Sequence, residues 1–258
     1  MSQNDNMLTF GEHLEVLRKM LFRILTLTFC IAVVVFLFKD ETFRLLLAPT
    51  KWNFATFRGI EHLCALLGWD FHFKEYHVEL IATELSSQFM THLTTSLYLG
   101  LLGASPYIMY ELFRFVSPAL YENERKYSVQ VVVTIYLLFI IGVLMSYYVI
   151  FPISFRFLGT YQVSEVVRST ITLSSYISSF TTLTLVMGLV FQLPVIAFFL
   201  AKMGMLDAGL MKAYRRHAFM LILIVAAVIT PPDVFTQTLV TVPLYGLYEI
   251  SIRVVERT

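Results

Sequence analysis

Charged residues are scarce in this sequence of 258 residues. Asp, Glu, Lys and Arg together make up 14% of the chain, whereas a soluble domain carries roughly a quarter. Residues 85–110 and 127–155 contain none of the four. Hydrophobic residues account for 57%, and the mean hydropathy is +0.72. This composition excludes a soluble globular domain and predicts an all-α protein that crosses a membrane several times.

Residues that serve the common kinds of chemistry are also few. The two cysteines, Cys30 and Cys64, cannot form a disulfide framework, since Cys30 lies inside an apolar run. The sequence contains no phosphate-binding loop, no H-E-x-x-H or C-x-x-C motif and no G-x-S-x-G motif. A net charge of +1 without a basic stripe gives no reason to expect nucleic-acid binding. We therefore expect no enzyme activity, no cofactor, no metal and no nucleic-acid partner.

Apolar runs separated by short polar segments predict a single membrane domain, residues 1–258, with six transmembrane helices. These spans cover residues 21–38, 85–112, 128–151, 176–200, 217–230 and 234–249. The last two are short, because about fifteen helical residues extend about 22 Å, against about 30 Å of hydrocarbon. Local thinning of the bilayer, or shelter behind neighbouring helices, is the expected consequence.

Positive charges predict the orientation of the chain. Lys and Arg number twelve in the segments on the side of the termini and seven in the longer segments on the other side. Because Lys and Arg concentrate in cytoplasmic loops, both termini are expected in the cytoplasm. The cytoplasmic segments are then an amphipathic helix within residues 1–20 and loops at 113–127 and 201–216, and the periplasmic loops are 39–84 and 152–175. The polar start of the chain is unlike a cleavable signal peptide, so the first apolar run is expected to stay as an anchor.

A polar island at residues 113–127 connects spans two and three. Ser117 and Pro118 have the form of a helix start, with Ser as the N-cap and Pro at the first helical position. Acidic and basic residues crowd the rest of the island, among them Glu124 and Arg125. These residue types by themselves favour a solvated turn held in the cytoplasm by its basic residues, and a recognition site is the alternative.

Two further polar residues stand in or beside apolar runs. Gln192 lies deep in the charge-free stretch 169–201. It suits either an interhelical hydrogen bond worth about 0.6 kcal/mol or a functional role. Asp233 follows a double proline and is placed to cap the last helix, which by itself would explain its chemistry.

Five motifs follow one another along the chain. They are Phe10-x-x-His13-Leu14-x-x-Leu17-Arg18, Ala48-Pro49, Phe115-Val116-Ser117-Pro118-Ala119-Leu120-Tyr121-x-x-Glu124-Arg125, Phe151-Pro152 and Thr230-Pro231-Pro232-Asp233. In this order they resemble the motifs of the TatC family, the multispanning component of the twin-arginine protein translocase. Each motif alone is weak, but five in order on six spans are specific, and the resemblance covers essentially the whole chain.

The resemblance implies a concave bundle of six helices, the last two short, in the bacterial cytoplasmic membrane. It implies a non-enzymatic receptor and scaffold that binds the Arg-Arg motif of signal peptides. Together with small single-span subunits of the TatA and TatB type, such a protein exports folded precursor proteins using the proton-motive force. The resemblance also implies a homo-oligomer within a larger complex, in contact with membrane lipid.

Carried over to this sequence, the family's signal-peptide site comprises Glu124, Phe115, Arg18 and an acidic residue of the first helix. A pair of arginines needs carboxylates in a partly dehydrated groove, where each charge-assisted hydrogen bond contributes about 1.5–3 kcal/mol. The residues expected to dock partner subunits or to hold the structure are Gln192, Pro49, Pro118, Tyr121, Arg125 and Asp233.

The acidic residue of the first helix is where this sequence departs from the family. The family has Glu at the position of Val16, and here the neighbouring acids are Glu15 and Glu12. A shift of one residue turns a side chain by about 100° around a helix, whereas Glu12 shares the face of Val16. Glu15 either reaches the peptide from the flank, or is replaced by Glu12, or only pairs with Lys19 one turn later.

Gln192 is a second departure, because the family position is polar and often acidic. A neutral amide can still hydrogen-bond a partner but cannot carry a proton, so we expect a docking role for a single-span subunit. The alternative function for the whole chain is a six-span secondary transporter or channel for a small solute. Such a protein should show several intramembrane charges or broken helices, and here only Gln192 and prolines qualify.

Overall fold

Two compact units make up the protein in a computed structural model, which describes residues 10–116, 128–162 and 170–257. The first unit is formed by Met1–Lys39 and Leu93–Tyr136, and the second by Asp40–His92 and Leu137–Thr258. Each unit has helix contacts of its own.

Helices account for most of the described chain. The α-helices are α1 (Phe10–Leu37), α2 (Lys39–Leu46), α3 (Ala55–Leu66), α4 (Ser87–Val116), α5 (Ser128–Met145), α6 (Phe151–Thr160), α7 (Leu173–Val190), α8 (Leu193–Lys202), α9 (Ala208–Ala213), α10 (Arg215–Ile229) and α11 (Val234–Glu256). A 3₁₀ turn at Ala48–Thr50 follows α2, and a π-helical turn at Ser146–Ile150 joins α5 to α6.

Helices lie at the positions of all the predicted spans. Within the described residues, four stretches are long and apolar enough to cross a membrane: Leu14–Leu37, Val131–Thr160, Leu173–Lys202 and Val234–Glu256. Helices α4 and α10, at the second and fifth predicted spans, lie outside that set. The prediction of a mostly helical protein is confirmed, and these four stretches have the length and apolar character that membrane spans need.

The first helix is longer than the sequence indicated. The predicted amphipathic helix and the first predicted span form one helix, α1, of 28 residues. No proline interrupts it, and Gly11 stands in its first turn. Since nothing in this stretch removes a backbone donor, the polar and apolar parts continue as one rod.

The expectation of a short last helix is wrong. Helix α11 has 23 residues and reaches Glu256 instead of ending near residue 249. Charged residues end its apolar stretch without ending the helix, because Glu and Arg are good helix formers. Two of them also pair with the preceding segment: Arg215 Nη2 lies 2.8 Å from Glu249 Oε2, and Lys212 bonds Glu256. Helix α10 is short as expected, with 15 residues.

The fourth predicted span is broken in its middle. Helix α7 ends at Val190, a turn holds Phe191 and Gln192, and α8 starts at Leu193. Pro194 lies at the start of α8, where its missing N–H costs nothing. The proline therefore explains why the helix stops and restarts here.

Small residues bring α1 and α4 together in the first unit. A Cβ added to Gly100 would lie 2.7 Å from the Thr28 carbonyl oxygen and 2.8 Å from Ala32 Cβ. One turn further on, a Cβ on Gly103 would lie 3.0 Å from Ile31 Cγ2. The two backbones approach closely because Gly100 has no side chain, as is common between membrane helices.

A similar contact joins α5 and α7 in the second unit. A Cβ on Gly142 would lie 2.6 Å from the Met187 carbonyl oxygen, and one on Gly188 would lie 2.7 Å from Phe139 Cε2. Four residues from each of these glycines, the buried hydroxyls of Ser146 and Thr184 are 3.2 Å apart and share a hydrogen bond.

A short pair of strands departs from the predicted all-α fold. Leu80–Ile81 (β1) and Ile171–Thr172 (β2) pair in parallel, with Leu80 opposite Ile171 and Ile81 opposite Thr172. The pair joins the two segments that were predicted as periplasmic loops. β-branched residues favour this extended pairing, although a ladder of this length adds little stability alone.

Candidate functional site

Most of the island's predicted site residues, whether for recognition or for docking and structure, lie outside the described residues. Glu124, Pro118, Tyr121 and Arg125 fall within 117–127, which the structure does not describe. The described chain stops at Val116 and resumes at Ser128. The role predicted for these four residues therefore stays a prediction.

Phe115 is the member of the island that the structure describes. It lies in the last turn of α4 and is half-buried, next to the exposed Arg114. Residues 111 and 115 share a helix face, because they are four positions apart. The face that carries Phe115 therefore also carries Glu111.

Glu15 and Arg18 lie on the exposed surface of α1. Glu15 Oε1 is 2.8 Å from Lys19 Nζ, the pairing with the residue one turn later that the sequence offered as an alternative. Exposed pairs of this spacing contribute about 0.3–0.5 kcal/mol, so the contact leaves the carboxylate available at little cost. Val16, at the family's Glu position, is also exposed, and the side chain of Glu12 lies outside the description.

A partly buried ion pair between α1 and α4 was not predicted. Arg23 Nη1 lies 3.1 Å from Glu111 Oε1, and the hydroxyl of Tyr107 donates to the same oxygen at 2.7 Å. The side chain of Glu111 is 4% exposed and that of Arg23 is 48% exposed. The guanidinium also donates through Nε to the Lys19 carbonyl oxygen at 3.3 Å. Arg23 thus neutralises a carboxylate that is almost inaccessible to solvent.

The sequence carried a partial signal for this pair. Arg23 is a base at the edge of the first apolar run, and Glu111 is an acid at the edge of the second, with Tyr107 one turn before it. Opposite charges at the ends of two neighbouring apolar runs are candidates for pairing, since an unpaired charge there is expensive. Which helices are neighbours is a tertiary fact that the pattern does not contain.

Gln192 is buried at the break between α7 and α8. Its Nε2 donates to the Gly188 carbonyl oxygen at 3.4 Å, one turn earlier in α7. Gly188 also receives the ring of Phe139 from α5. The amide therefore stabilises the open end of α7 and sits beside the α5–α7 contact.

Asp233 caps α11, as its position after the double proline predicted. Its Oδ1 accepts a hydrogen bond of 2.6 Å from the Thr236 backbone N–H. The backbone of Asp233 is extended, as an N-cap residue requires. The cap orders the turn between α10 and α11.

Pro49 lies in the 3₁₀ turn after α2 and is fully buried. Two tyrosine hydroxyls hold the residues before it: Tyr147 donates to the Leu45 carbonyl oxygen at 2.8 Å and Tyr176 to that of Leu46 at 2.7 Å. Pro49 follows the end of α2, and its turn is anchored to α7 and the π-helical turn.

An aromatic cage around Arg156 was also missed. The guanidinium carbon lies 4.4 Å from the ring centre of Phe73, 4.7 Å from Tyr76 and 5.0 Å from Phe57. Nη2 donates to the Lys74 carbonyl oxygen at 2.9 Å. Burial raises the pKa of Tyr76 to about 12. The cage fastens the segment before β1 to α6, a structural role.

Comparison with known proteins gives one consistent result. The family model of the Sec-independent protein translocase protein (TatC) matches residues 12–243. A Sec-independent protein translocase protein TatC of Blattabacterium is 34% identical over 256 residues, which is 98% of this chain and 96% of that protein. The TatC of Escherichia coli is 35% identical over 173 residues, covering 67% of each chain. A crystal structure of the twin-arginine translocase receptor TatC matches with a TM-score of 0.75 and 28% identity, covering 95% of this chain and 99% of that one.

Proposed function

The chain belongs to the TatC family of Sec-independent protein translocase proteins, and on that premise we propose that it is the receptor and scaffold subunit of a twin-arginine translocase. The observation that carries the proposal is the match along nearly the full length of both a relative and a solved receptor structure. The protein acts by binding and assembly, with no catalytic residue.

The proposed arrangement in the membrane has six spans in a concave bundle, with both termini in the cytoplasm of a bacterium. The distribution of Lys and Arg supports this orientation. Helices α4 and α10 are then the second and fifth spans; α10, with 15 residues, is the short one, and local thinning of the bilayer would accommodate it. The charged end of α11 lies in the cytoplasm, where its ion pairs meet water.

The proposed ligand is the Arg-Arg motif of a signal peptide, bound at the cytoplasmic side. Glu124 receives one arginine, Phe115 packs beside it, and Glu15 or Glu12 contributes a second carboxylate with Arg18 nearby. The exposure of Glu15 and the weakness of its pair with Lys19 support its availability. The proton-motive force drives the subsequent transport of the folded protein.

The proposed partners are single-span subunits of the TatA and TatB type and further copies of this chain. Gln192 is the docking residue that we propose for a single-span helix, since its amide lies at a helix break in an apolar environment. Pro49, Pro118, Tyr121, Arg125 and Asp233 serve the structure or the assembly around it. Replacing Gln192 with Leu should reduce co-purification of the partner, whereas Gln192→Glu should retain it.

Deletion of the gene tests the function. Export of a folded reporter with a twin-arginine signal should stop and should return with the wild-type gene, whereas a solute transporter would leave export intact. Complementation with Glu124→Gln should lower export at least about tenfold, as expected from the loss of a charge-assisted hydrogen bond of about 1.5–3 kcal/mol. Glu122→Gln is the matched control two residues away and should restore export. Normal export without the protein would overturn the proposal.

A further inference from the structure

The buried carboxylate of Glu111 has no role in the site proposed so far. It lies in the last two turns of α4, one turn before Phe115 on the same face. Both of its donors, Arg23 and Tyr107, bind one oxygen, Oε1. Within the described residues no donor reaches Oε2. Among the described residues, Oε2 is therefore the oxygen left for a further donor.

The two partners of this ion pair differ in how firmly they are held. The side chain of Glu111 is nearly inaccessible, whereas about half of the Arg23 side chain is exposed on the surface of α1. A desolvated carboxylate has to keep a cation beside it, because leaving it unpaired costs far more than breaking a surface pair. The half-exposed guanidinium can move away without unpacking a helix. Another guanidinium can then take its place, and a guanidinium fits a carboxylate through two parallel hydrogen bonds.

We propose that Glu111 is a second carboxylate for a signal-peptide arginine, and that Arg23 occupies it within the same chain until the peptide displaces it. The inference rests on the proposed function, because it assumes that an Arg-Arg peptide is the ligand. It supplies an acid for a chain that has Val16 at the family's Glu position. The ligand chemistry is a guanidinium, so a Lys-Lys peptide is a poor substitute.

The exchange makes opposite predictions for the two members of the ion pair. Glu111→Gln removes the binding carboxylate and should weaken binding of an Arg-Arg peptide. Arg23→Gln removes the internal competitor and leaves a buried carboxylate that only an added cation can satisfy, so binding should become tighter. Arg23→Gln/Glu111→Gln should bind as weakly as Glu111→Gln alone. A purely structural pair would give the same sign for both single variants, because each breaks the same contact.

The experiment measures the Kd of a fluorescent Arg-Arg signal peptide, and of its Lys-Lys twin, for the full-length protein in lipid nanodiscs. We expect Glu111→Gln to weaken Arg-Arg binding by about tenfold, in line with one charge-assisted hydrogen bond, and Arg23→Gln to tighten it by roughly threefold or more. Tyr107→Phe keeps the ring and removes only the hydroxyl donor, so it should tighten binding slightly. If the thermal unfolding midpoint of Arg23→Gln shows that this variant does not fold, Tyr107→Phe tests the same exchange in its place.

The outcomes separate this inference from the proposed function. If the wild-type protein does not prefer Arg-Arg to Lys-Lys, the proposed ligand is wrong. If it does prefer Arg-Arg, and Glu124→Gln weakens binding, the proposed function stands. Equal weakening by Arg23→Gln and Glu111→Gln, or no effect of either, then overturns the exchange alone.

Discussion

Single residues decide where helices begin in this protein, and Asp233 is the best-defined case. Its carboxylate takes the Thr236 N–H at the start of α11, a helix of 23 residues. Asp233→Ala should lower the free energy of unfolding by about 1 kcal/mol, the usual cost of losing an N-cap, and Asp233→Asn should recover most of it. Thermal unfolding of the purified protein measures the effect.

Asp207 is the matched control for that substitution. It caps α9, a helix of six residues, by accepting the Gly209 N–H at 2.9 Å. Because α9 is short, Asp207→Ala should shift the unfolding midpoint less than Asp233→Ala. Equal shifts would contradict the view that the cap at residue 233 stabilises the longer helix.

The pair of Glu15 and Lys19 offers a second test on the residue scale. If Glu15 binds a signal peptide, Glu15→Gln should reduce crosslinking of the peptide, and Lys19→Gln should leave it intact because the carboxylate remains. Exposed pairs contribute little to stability, so neither variant should change the unfolding midpoint by more than about a degree or two. Equal losses from Glu15→Gln and Lys19→Gln would mean that only the pair matters.

Sequence patterns predicted these local features and missed the distant ones. The cap at Asp233 and the contact of Glu15 with Lys19 join residues three and four positions apart, which spacing alone reveals. The contact of Arg23 with Glu111 joins residues 88 positions apart. It depends on which face of α1 meets α4, and no periodicity in either helix reports that.

Between elements, the glycine contacts determine how closely helices pack. Gly142→Ala would place a Cβ 2.6 Å from the Met187 carbonyl oxygen, a backbone atom that cannot move aside alone. The α5–α7 contact should then open, at a cost of about 1–3 kcal/mol for overpacking. The thermal unfolding midpoint should fall accordingly.

Gly246→Ala is the matched control, since a Cβ at that position in α11 has no atom within 4 Å. Ala is favoured over Gly inside a helix by about 1 kcal/mol, so this variant should be neutral or slightly stabilising. Stabilisation by Gly142→Ala would show that close packing at this glycine is not needed.

Helix existence was predictable from apolar runs, and helix ends were not. The last span is predicted to end at residue 249, yet α11 continues to Glu256, because charged residues such as Glu and Arg are good helix formers. The opposite error occurs in the fourth span, where a continuous apolar run contains a break at Gln192 before Pro194. Apolar length reports contact with lipid, whereas backbone hydrogen bonding sets where a helix stops.

For the whole molecule, the family follows from the order of short motifs along the chain, and the site follows only in part. The order of the motifs can be read from the sequence alone, and the family that it indicates was confirmed over residues 12–243. The arrangement of carboxylates depends on single positions such as Val16 and Glu111, where this chain departs from a motif or lies outside one. The family is therefore easier to predict from the sequence than the individual residues that form the binding site.

The orientation of the whole chain is testable with its own two cysteines. Cys64 lies in α3, within the segment predicted to be periplasmic, and is partly exposed; Cys30 lies in the apolar part of α1. A membrane-impermeant maleimide added to spheroplasts should label the wild-type protein once and should not label Cys64→Ser. Cys30 should stay unlabelled even though its side chain is exposed in the fold. Its exposed surface would face lipid, where the reactive thiolate form is not stabilised by water. Labelling of Cys64 only in inverted vesicles would place the termini outside and would remove the cytoplasmic location on which the signal-peptide site depends.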